Sequence, residues 1–308
     1  MPKVSVVIPT FNRPALLMRS VESALRQTVE DLEVVVVIDG PDPATVAALE
    51  RNGDKRLRYI QHEKQMGAGQ TRDDGARSSN AEWVAFLDDD DEWTPDKLET
   101  QFSLPLTPKT IVVSRTEVVM PEGTFIWPTR VYDASEPIDE WLFDRKAWFK
   151  ETGSWLQTSS LMTPRALFDV LGFAGMHHEE WEISIRSVKQ HGYQLLTALE
   201  PTVIHYRTAV ATSLSGKQRW PQSLVWLDGL GDLLTPRAYS GFCLLNISRS
   251  AADAGDRSAI PVLWKAAWRK GKPTPQQCFA FAMMWLLPPP TRRRLRGLIS
   301  RDRQSRPA

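Results

Sequence analysis

The sequence predicts an α/β fold built around a largely parallel sheet. Short β-branched runs alternate with amphipathic runs over residues 4–87, and this alternation is typical of βαβ units. Four consecutive aspartates at residues 88–91 follow the apolar run at residues 83–87. The predicted fold therefore places four carboxylates at the carboxyl end of a buried strand, which is the edge of an open α/β sheet where ligands bind.

The individual elements follow from periodicity and from residues that interrupt it. Residues 4–8 are β-branched and are followed by Pro9, so they predict a buried strand. Residues 14–27 have apolar residues at helical spacing, with Asn12 as a candidate cap. Further strands are predicted at residues 33–38, 57–60, 83–87, 111–113, 116–119 and 195–206, and further helices at 43–52, 69–78 and 180–191.

The pattern changes after about residue 215, where the strands stop and helices separated by proline and glycine follow. We therefore predict a first domain over residues 1–215 and a helical extension with a basic tail over residues 216–308.

Composition limits the possible classes of function. The 308 residues are 42% hydrophobic and 24% charged, with a formal net charge of +1, so nothing in the overall charge favours nucleic acid as a partner. Cys243 and Cys278 are too few for a disulfide framework and favour a reducing compartment. Because the start has no signal-peptide pattern and no apolar run reaches the ~20 residues that span a bilayer, we expect a cytoplasmic protein that contacts membranes at most peripherally.

The aspartate run at residues 88–91 favours a bound cation, because four adjacent carboxylates repel one another. Mg²⁺ and Mn²⁺ prefer oxygen ligands, and Mg²⁺ is usually held by one or two carboxylates together with substrate phosphates. The run therefore predicts a divalent metal and a phosphate-bearing ligand. An acidic surface turn without a metal is the alternative.

Polar residues also follow the first two predicted strands, at residues 9–13 and at Asp39. Parallel topology brings these strand ends to the same edge as the aspartate run. Asp39 could accept a hydrogen bond from a nucleobase, and Arg72, in the glycine-containing segment 67–72, could contact a phosphate or a base. A plain turn at Asp39 and a ligand-free helix start at residue 67 remain alternatives.

The order and spacing of these motifs resemble the GT-A-fold glycosyltransferases of family 2. The matching segments are residues 4–13, 27–28, 39–40, 67–76, 83–93 and 95–98, with weaker matches at 179–181, 206–207 and 213–215. The resemblance implies a Rossmann-like mixed sheet flanked by helices. It also implies an inverting transfer of a sugar from a nucleoside-diphosphate sugar, with UDP-sugar favoured, to a hydroxyl of a glycan or lipid-linked glycan in polysaccharide assembly. The implied cofactor is Mn²⁺ or Mg²⁺.

The resemblance assigns roles to individual residues. The implied nucleotide-binding residues are Pro9, Thr10, Asn12, Asp39, Arg72, Asp88 and Asp89. Asp90 is the implied metal ligand in the family's DXD element, and Asp88 or Asp89 holds the ribose or shares the ion. The metal would neutralise the departing diphosphate. This Lewis-acid effect stabilises the transition state by on the order of several kcal/mol.

Inverting substitution also needs a base to take the acceptor's proton. In this family the base usually belongs to a Glu-Asp pair followed by an aromatic residue, and the matching residues here are Glu179, Glu180 and Trp181. Glu180 takes the place of the usual aspartate and is the predicted base, with Glu179 as its rival. A carboxylate at a helix N-terminus is also favoured by the helix dipole alone, so a capping role stays open.

The histidines offer a weaker case for metal binding. His177 and His178 lack the HExxH spacing, so a zinc site is not expected. His205, at the end of a predicted strand, is a candidate metal ligand. Many relatives instead have a histidine two residues after a Tyr-Arg pair, where this chain has Ala209. A buried, hydrogen-bonded His205 without metal is the alternative.

The extension contains an apolar segment at residues 279–287 and an arginine cluster at residues 292–296. An apolar helix followed by arginines is typical of an interfacial anchor on anionic lipid, which predicts peripheral membrane contact through residues 279–301. The alternative is a core helix followed by a solvated basic tail.

Two other functions are compatible with parts of this pattern. A nucleotidyltransferase shares the nucleotide site and the carboxylate-bound metal but needs no acceptor base near Glu180. A sugar-nucleotide-binding scaffold needs no turnover at all, and the presence of both the aspartate run and the glutamate pair argues against it.

Overall fold

The computed structural model describes residues 2–121, 123–144, 153–173, 175, 177–207 and 220–287. The chain divides into two compact units, the first formed by Met1–Tyr132 and Gly153–Thr208 and the second by Asp133–Thr152 and Ala209–Ala308. The second unit therefore includes a segment from within the predicted first domain. The predicted boundary at residue 215 and the arginine cluster at residues 292–296 lie outside the described residues.

The first unit is built on a mixed sheet. In chain order the strands are β1 (Val4–Thr10), β2 (Leu32–Ile38), β3 (Leu57–Gln61), β4 (Trp83–Phe86), β5 (Asp91–Trp93), β6 (Thr110–Met120), β7 (Gly123–Trp127), β8 (Met162–Pro164) and β9 (Gln194–Tyr206). Their spatial order is β3-β2-β1-β4-β8-β6-β9-β5, with β7 beside β6. The strands from β3 to β4 run parallel, whereas β8 is antiparallel to both β4 and β6. The predicted fold class is confirmed.

The α-helices alternate with the strands of the parallel half and dominate the end of the chain. They are α1 (Pro14–Leu25), α2 (Pro43–Asn52), α3 (Ala68–Arg77), α4 (Lys97–Phe102), α5 (Ile138–Phe143), α6 (Glu179–His191), α7 (Trp220–Gly229), α8 (Pro236–Gly241), α9 (Ser248–Asp253), α10 (Ala259–Lys270) and α11 (Pro275–Leu286). Every residue of β1 is buried, because strands of a parallel sheet are covered on both faces.

Two elements differ from the sequence-based expectation. The strands predicted at residues 111–113 and 116–119 form the single strand β6, whose pairing with β9 shifts register on either side of Arg115. That bulge interrupts the apolar pattern without ending the strand. The short strand β5 was not predicted, because acidic residues are depleted in strands. It begins at Asp91, so the aspartate run ends inside the sheet and not in a loop.

Asn12 does not cap α1, so that prediction is wrong. Arg13 occupies the N-cap position without a side-chain capping bond, and Pro14 begins the helix. Asn12 has a positive φ of 54°, and its backbone N–H donates to Asp42 Oδ2 at 3.2 Å. Asp42 in turn caps α2 by accepting from the backbone N–H of Thr45. The Asn12 turn therefore ties the end of β1 to the start of α2.

The second unit is helical in the part of it that the structure describes. Phe242, in a π-helical turn at Phe242–Ile247, packs against Phe143 with ring centroids 4.7 Å apart and against Trp226 at 5.1 Å. The buried Gln277 donates to Asp144 Oδ1 at 2.8 Å, which ties α11 to the residue after α5. Among the described residues, no helix is both long enough and apolar enough to cross a membrane.

Close packing of α3 on the sheet depends on Gly75. A Cβ atom at this position would lie 2.4 Å from Val7 Cγ1 and 3.0 Å from Val37 Cγ2. We therefore expect Gly75→Ala to lower the free energy of unfolding by about 1–3 kcal/mol, the usual cost of overpacking a core. Urea unfolding followed by tryptophan fluorescence measures this change. The control is Gly153→Ala in the same unit, where the nearest atom to the added Cβ is at 3.8 Å; equal losses in both variants would contradict this packing argument.

Candidate active site

The four aspartates at residues 88–91 do not form a single exposed cluster. The side chains of Asp89 and Asp91 are each 1% exposed, whereas those of Asp88 and Asp90 are 28% and 41% exposed. A turn at residues 89–90, closed by the hydrogen bond from the backbone N–H of Asp91 to the carbonyl of Asp88 at 3.1 Å, separates the run into two buried and two accessible carboxylates. Only the accessible pair can reach a ligand from solvent.

Asp89 anchors the end of β1. Its carboxylate accepts from Thr10 Oγ1 at 2.7 Å and lies 2.5 Å from Arg13 Nη2. Arg13 Nη1 also donates to Asp90 Oδ2 at 3.0 Å. Burial raises the pKa of Asp89 to about 7, although Arg13 and Thr10 act in the opposite direction. Arg13 therefore neutralises part of the negative charge that, from the sequence alone, a bound metal is expected to neutralise.

Asp91 is held by a network that sequence reasoning missed. Asp91 and His205 are paired residues of β5 and β9, and Asp91 Oδ1 lies 2.7 Å from His205 Nδ1. Asp91 Oδ2 accepts from Ser159 Oγ at 2.5 Å and from Gln157 Nε2 at 2.6 Å. Burial raises the pKa of Asp91 to about 6, opposed by His205. Burial also lowers the pKa of His205, but Asp91 outweighs it and the net pKa is raised.

Ser159 contributes both its hydroxyl and its carbonyl to the aspartate run. Its hydroxyl accepts from the backbone N–H of Asp88 at 3.1 Å while donating to Asp91. Its carbonyl accepts from the indole N–H of Trp93 at 2.8 Å. This single residue of a 3₁₀ turn therefore contacts the backbone of Asp88 and the side chains of Asp91 and Trp93.

Arg72 joins the aspartate run to α6. Its Nη2 donates to Asp88 Oδ1 at 2.7 Å, and its Nη1 donates to Glu179 Oε2. The guanidinium is nearly buried, which lowers the pKa of Arg72, but the charges of Asp88 and Glu179 outweigh burial and the net pKa is raised. Arg72 thus carries its charge permanently between one carboxylate that follows β4 and one at the start of α6.

Tight packing around Gly69 positions this bridge. A Cβ atom on Gly69 would lie 2.8 Å from the carbonyl oxygen of Phe173 and 2.9 Å from Glu179 Oε1. The backbone N–H of Phe173 donates to Asp73 Oδ1 at 2.7 Å, and its ring packs on Phe86 with centroids 5.0 Å apart. Glycine at position 69 is therefore required because α3 and the segment before α6 approach closely.

Glu179 and Glu180 begin α6, as predicted, but occupy different environments. Burial raises the pKa of Glu179, and Arg72 opposes the shift. Burial raises the pKa of Glu180 to about 7, to which the charge of Glu179 adds. Glu180 is half-buried, and its carboxylate forms no hydrogen bond to another side chain among the described residues. The neighbouring His178 stacks on Trp181 at 5.0 Å between ring centroids, and burial lowers its pKa to about 4.

Asp39 meets the end of β1, as the parallel topology predicted. Its backbone N–H donates to the carbonyl of Thr10 at 2.9 Å. Its carboxylate accepts from the backbone N–H groups of Met66 at 2.6 Å and Gly67 at 3.0 Å, and His62 Nδ1 lies 3.3 Å from Oδ1. Asp39 therefore also secures the loop before α3. Because a carboxylate has about four lone-pair sites, these contacts leave capacity for one more donor.

The turn after β1 divides into buried and exposed residues. Pro9 and Thr10 are buried, whereas Asn12 is exposed. Phe11, which is not among the site residues predicted from the sequence, is 39% exposed. An exposed aromatic ring next to Asp39's hydrogen-bonding partner is a surface on which a planar base can stack.

The donor atoms at this edge of the sheet limit the kind of metal site that it can form. The described residues contain no group of three or more His, Cys, Asp or Glu side chains placed to hold an ion. Asp88 and Asp90 are accessible, and His205 Nδ1 is committed to Asp91. Mg²⁺ and Mn²⁺ can be held by one or two carboxylates completed by phosphate oxygens and water. The residues therefore fit an ion shared with a phosphate-bearing ligand and do not fit a closed protein site.

The hydrogen bonds that Ser159 forms with Asp88 and Asp91 can be tested by removing its hydroxyl. We expect Ser159→Ala to reduce the free energy of unfolding by about 1–3 kcal/mol, because Asp88 loses a buried acceptor and Asp91 a buried donor. Chemical denaturation measures the loss. Ser103→Ala is the control, since Ser103 is exposed and its hydroxyl bonds only to the carbonyl of Thr100. A loss no larger than that of the control would show that the Ser159 hydroxyl does not stabilise the aspartate run.

The chain is similar to several known proteins in sequence. The family model for glycosyl transferase family 2 matches residues 5–177. The amylovoran biosynthesis glycosyltransferase AmsB of Erwinia amylovora is 24% identical over 247 residues, covering 76% of this chain and 79% of AmsB. A GalNAc(5)-diNAcBac-PP-undecaprenol β-1,3-glucosyltransferase of Campylobacter jejuni is 35% identical over 103 residues, but the match covers 32% of this chain and 33% of that protein. An uncharacterized glycosyltransferase of Rickettsia bellii is 40% identical over 100 residues, only 14% of its length.

Solved structures share the fold. Residues 1–349 of TarS from S. aureus, in complex with UDP-GlcNAc, superpose with a TM-score of 0.57 at 15% identity, covering 92% of this chain and 90% of that one. The mannosyltransferase PcManGT from Pyrobaculum calidifontis, in complex with GDP-Man and Mn²⁺, gives a TM-score of 0.56 at 18% identity, covering 92% and 87%. These neighbours establish a GT-A architecture. Because the family model spans more than half of the sequence, the chain belongs to glycosyl transferase family 2 and is a glycosyltransferase.

Proposed function

We propose that this enzyme is a metal-dependent inverting glycosyltransferase that moves a sugar from a nucleoside-diphosphate sugar, with UDP-sugar favoured, to an acceptor hydroxyl. The observation that carries the proposal is the Arg72 bridge between Asp88 and Glu179. It places an accessible carboxylate of the aspartate run and a pair of glutamates at opposite ends of one guanidinium. A donor bound at the first and an acceptor bound at the second would meet across this bridge.

The donor side uses the exposed residues of the sheet edge. Asp88 and Asp90 would hold Mn²⁺ or Mg²⁺ as the DXD element, and the ion would stabilise the negative charge of the departing diphosphate. Its use by a neighbour of the same fold supports this choice, since PcManGT was solved with GDP-Man and Mn²⁺. His205 is a further candidate ligand, because Asp91 fixes Nδ1 in the way that second-shell carboxylates orient metal-binding histidines.

The nucleoside would lie between Asp39 and the turn after β1. Asp39 can accept a hydrogen bond from a base N–H, and the exposed ring of Phe11 can stack on the base. The backbone groups of Thr10 and Asn12 would line the nucleoside site, and Arg72 would contribute its positive charge. The buried ring of Pro9 would support the turn. Burial of Asp89 against Arg13 favours a supporting role for this carboxylate over direct contact with ribose.

On the acceptor side, Glu180 is the proposed base and Glu179 the residue that positions Arg72. In the reaction the acceptor oxygen forms a bond to the anomeric carbon, the bond from that carbon to the diphosphate breaks, and the acceptor proton passes to Glu180. A carboxylate with a pKa near 7 is suited to this transfer. Glu179 is less suited, because Arg72 stabilises its ionised form.

Relatives support the acceptor class and the setting. AmsB is named for amylovoran biosynthesis, and the name of the Campylobacter relative specifies an undecaprenol-linked substrate. We propose a glycan or lipid-linked glycan acceptor in surface polysaccharide assembly, with the enzyme in the cytoplasm and in peripheral contact with the membrane through residues 279–301. The low cysteine count, with only Cys243 and Cys278 in the chain, supports a reducing compartment. The family match gives no support to the nucleotidyltransferase alternative.

The metal assignment can be tested without knowing the acceptor. Thermal unfolding with UDP-, GDP-, dTDP- and CMP-sugars identifies the donor, because a ligand that binds only the folded state raises its stability. With that donor, we expect Asp90→Asn to weaken binding by about tenfold or more when Mn²⁺ is present, and to leave binding in EDTA unchanged. Asp31→Asn is the control, since Asp31 is exposed just before β2, at the opposite edge of the sheet. Equal Mn²⁺-dependent stabilisation of Asp90→Asn and wild type would refute the assignment.

The base assignment makes a kinetic prediction. Glu180→Gln keeps the size of the side chain but cannot take a proton, so we expect kcat to fall by about 10²–10⁴-fold while donor affinity is unchanged. Glu179→Gln is the matched comparison and should weaken donor binding as well, because Arg72 loses a partner. If Glu180→Gln retains near-normal kcat on an authentic acceptor, the base lies elsewhere.

The stability of Glu180→Gln at different pH values distinguishes a catalytic role of Glu180 from a helix-capping role. Burial raises the pKa of Glu180 from 4.5 to about 7, so between these values the folded state holds a proton that the unfolded chain releases, and stability falls as pH rises. Glu180→Gln removes this cost, and we expect it to exceed wild type by up to about 3 kcal/mol above pH 7, with no advantage at pH 4. A capping role predicts instead that Glu180→Gln melts below wild type at pH 8.

A further inference from the structure

The last two helices that the structure describes, α10 and α11, carry exposed aromatic side chains. Trp264 and Trp268 of α10 are 39% and 55% exposed, and their ring centroids are 5.8 Å apart. Trp264 also packs on Phe281 of α11, with ring centroids 5.6 Å apart. The two tryptophans therefore form an exposed aromatic pair, and Trp264 reaches the neighbouring α11.

Helix α11 also has an exposed apolar side. Phe279 and Leu286 are 38% and 74% exposed, and Ala282 between them is exposed too. Spacings of three and four residues place these side chains on one side of a helix, and residues 275–286 include no charged residue. We call Trp264, Trp268, Phe279 and Leu286 the tryptophan surface. Large exposed aromatic and aliphatic side chains on two neighbouring helices are typical of an interaction site.

All charged residues on α10 and α11 themselves are basic. Residues 258–301 contain no aspartate or glutamate, although the whole chain is nearly neutral. Lys265 and Arg269 are exposed on α10 beside the tryptophans and form no salt bridge with any residue that the structure describes, whereas Lys270 pairs with Asp228 at 2.7 Å. The sequence at residues 288–308 adds seven arginines and one aspartate.

We propose that the tryptophan surface docks on an anionic lipid bilayer. Tryptophan prefers the interface of a membrane, where its ring meets acyl chains and its N–H meets headgroups and water. Lysine and arginine beside such an apolar face bind anionic headgroups. A second copy of this chain fits less well, because Lys265 and Arg269 of the two copies would repel each other. The inference deepens the proposed function and rests on it in one respect, since docking would bring the enzyme to a lipid-linked acceptor.

Vesicle co-sedimentation of the full chain tests the inference directly. We expect binding to vesicles of phosphatidylglycerol and phosphatidylcholine, little binding to phosphatidylcholine alone, and loss of binding at high salt. Trp264→Ser combined with Trp268→Ser should weaken binding by about tenfold or more, and Lys265→Gln combined with Arg269→Gln by a similar factor. Val225→Ser is the control, because Val225 is 72% exposed on α7, and it should bind as wild type does.

Three results would overturn the inference. The surface does not contact lipid if the wild-type protein fails to bind anionic vesicles. The same conclusion follows if the double tryptophan variant binds them as wild type does. A double tryptophan variant that changes the oligomeric state without changing vesicle binding would assign the surface to a second copy.

Donor turnover without vesicles should be unchanged in the tryptophan variant. If the proposed function is wrong, turnover is absent in every variant while vesicle binding persists.

Discussion

The pair of salt bridges made by Arg72 is the interaction on which the candidate site depends. A nearly buried guanidinium is stable only when its charge is paired, and removal of one partner leaves an uncompensated charge. Asp88 and Glu179 supply that pairing from the end of β4 and the start of α6. Gly69 permits the close approach that brings Glu179 within reach. The positions of the aspartate run and the glutamate pair are therefore not independent of each other.

The aspartate run illustrates how one sequence motif serves two purposes. Asp89 and Asp91 are buried and bind the end of β1 and the end of β9, through Thr10 and His205. Asp88 and Asp90 remain accessible. The repulsion among four carboxylates is partly balanced by Arg13 and Arg72 before any ligand binds, so the run requires less compensation from a metal than its sequence suggests. Rigid support from the buried pair fixes the accessible pair, which is what a ligand site needs.

Much of the fold follows from local sequence, and the remainder depends on distant contacts. The parallel half of the sheet and the meeting of Asp39 with the end of β1 were predictable, because apolar periodicity defines βαβ units and parallel topology aligns strand ends. β5 was not, since acidic residues carry no strand signal. Ser159 and Gln157 act on Asp91 from 68 and 66 residues away, and no pattern in the sequence connects them. Contacts distant in sequence also place residues 133–152 in the second unit, because α5 packs with helices that follow residue 220.

The pH dependence of kcat in Arg72→Met tests most directly whether one guanidinium couples the two sides of the site. The charge of Arg72 lowers the pKa of both glutamates, so its removal should move the acidic limb of the kcat profile to higher pH, and part of the lost activity should return as pH rises. That recovery distinguishes an electrostatic role from a simple loss of structure. An acidic limb at the wild-type position, with activity reduced equally at every pH, would contradict the account.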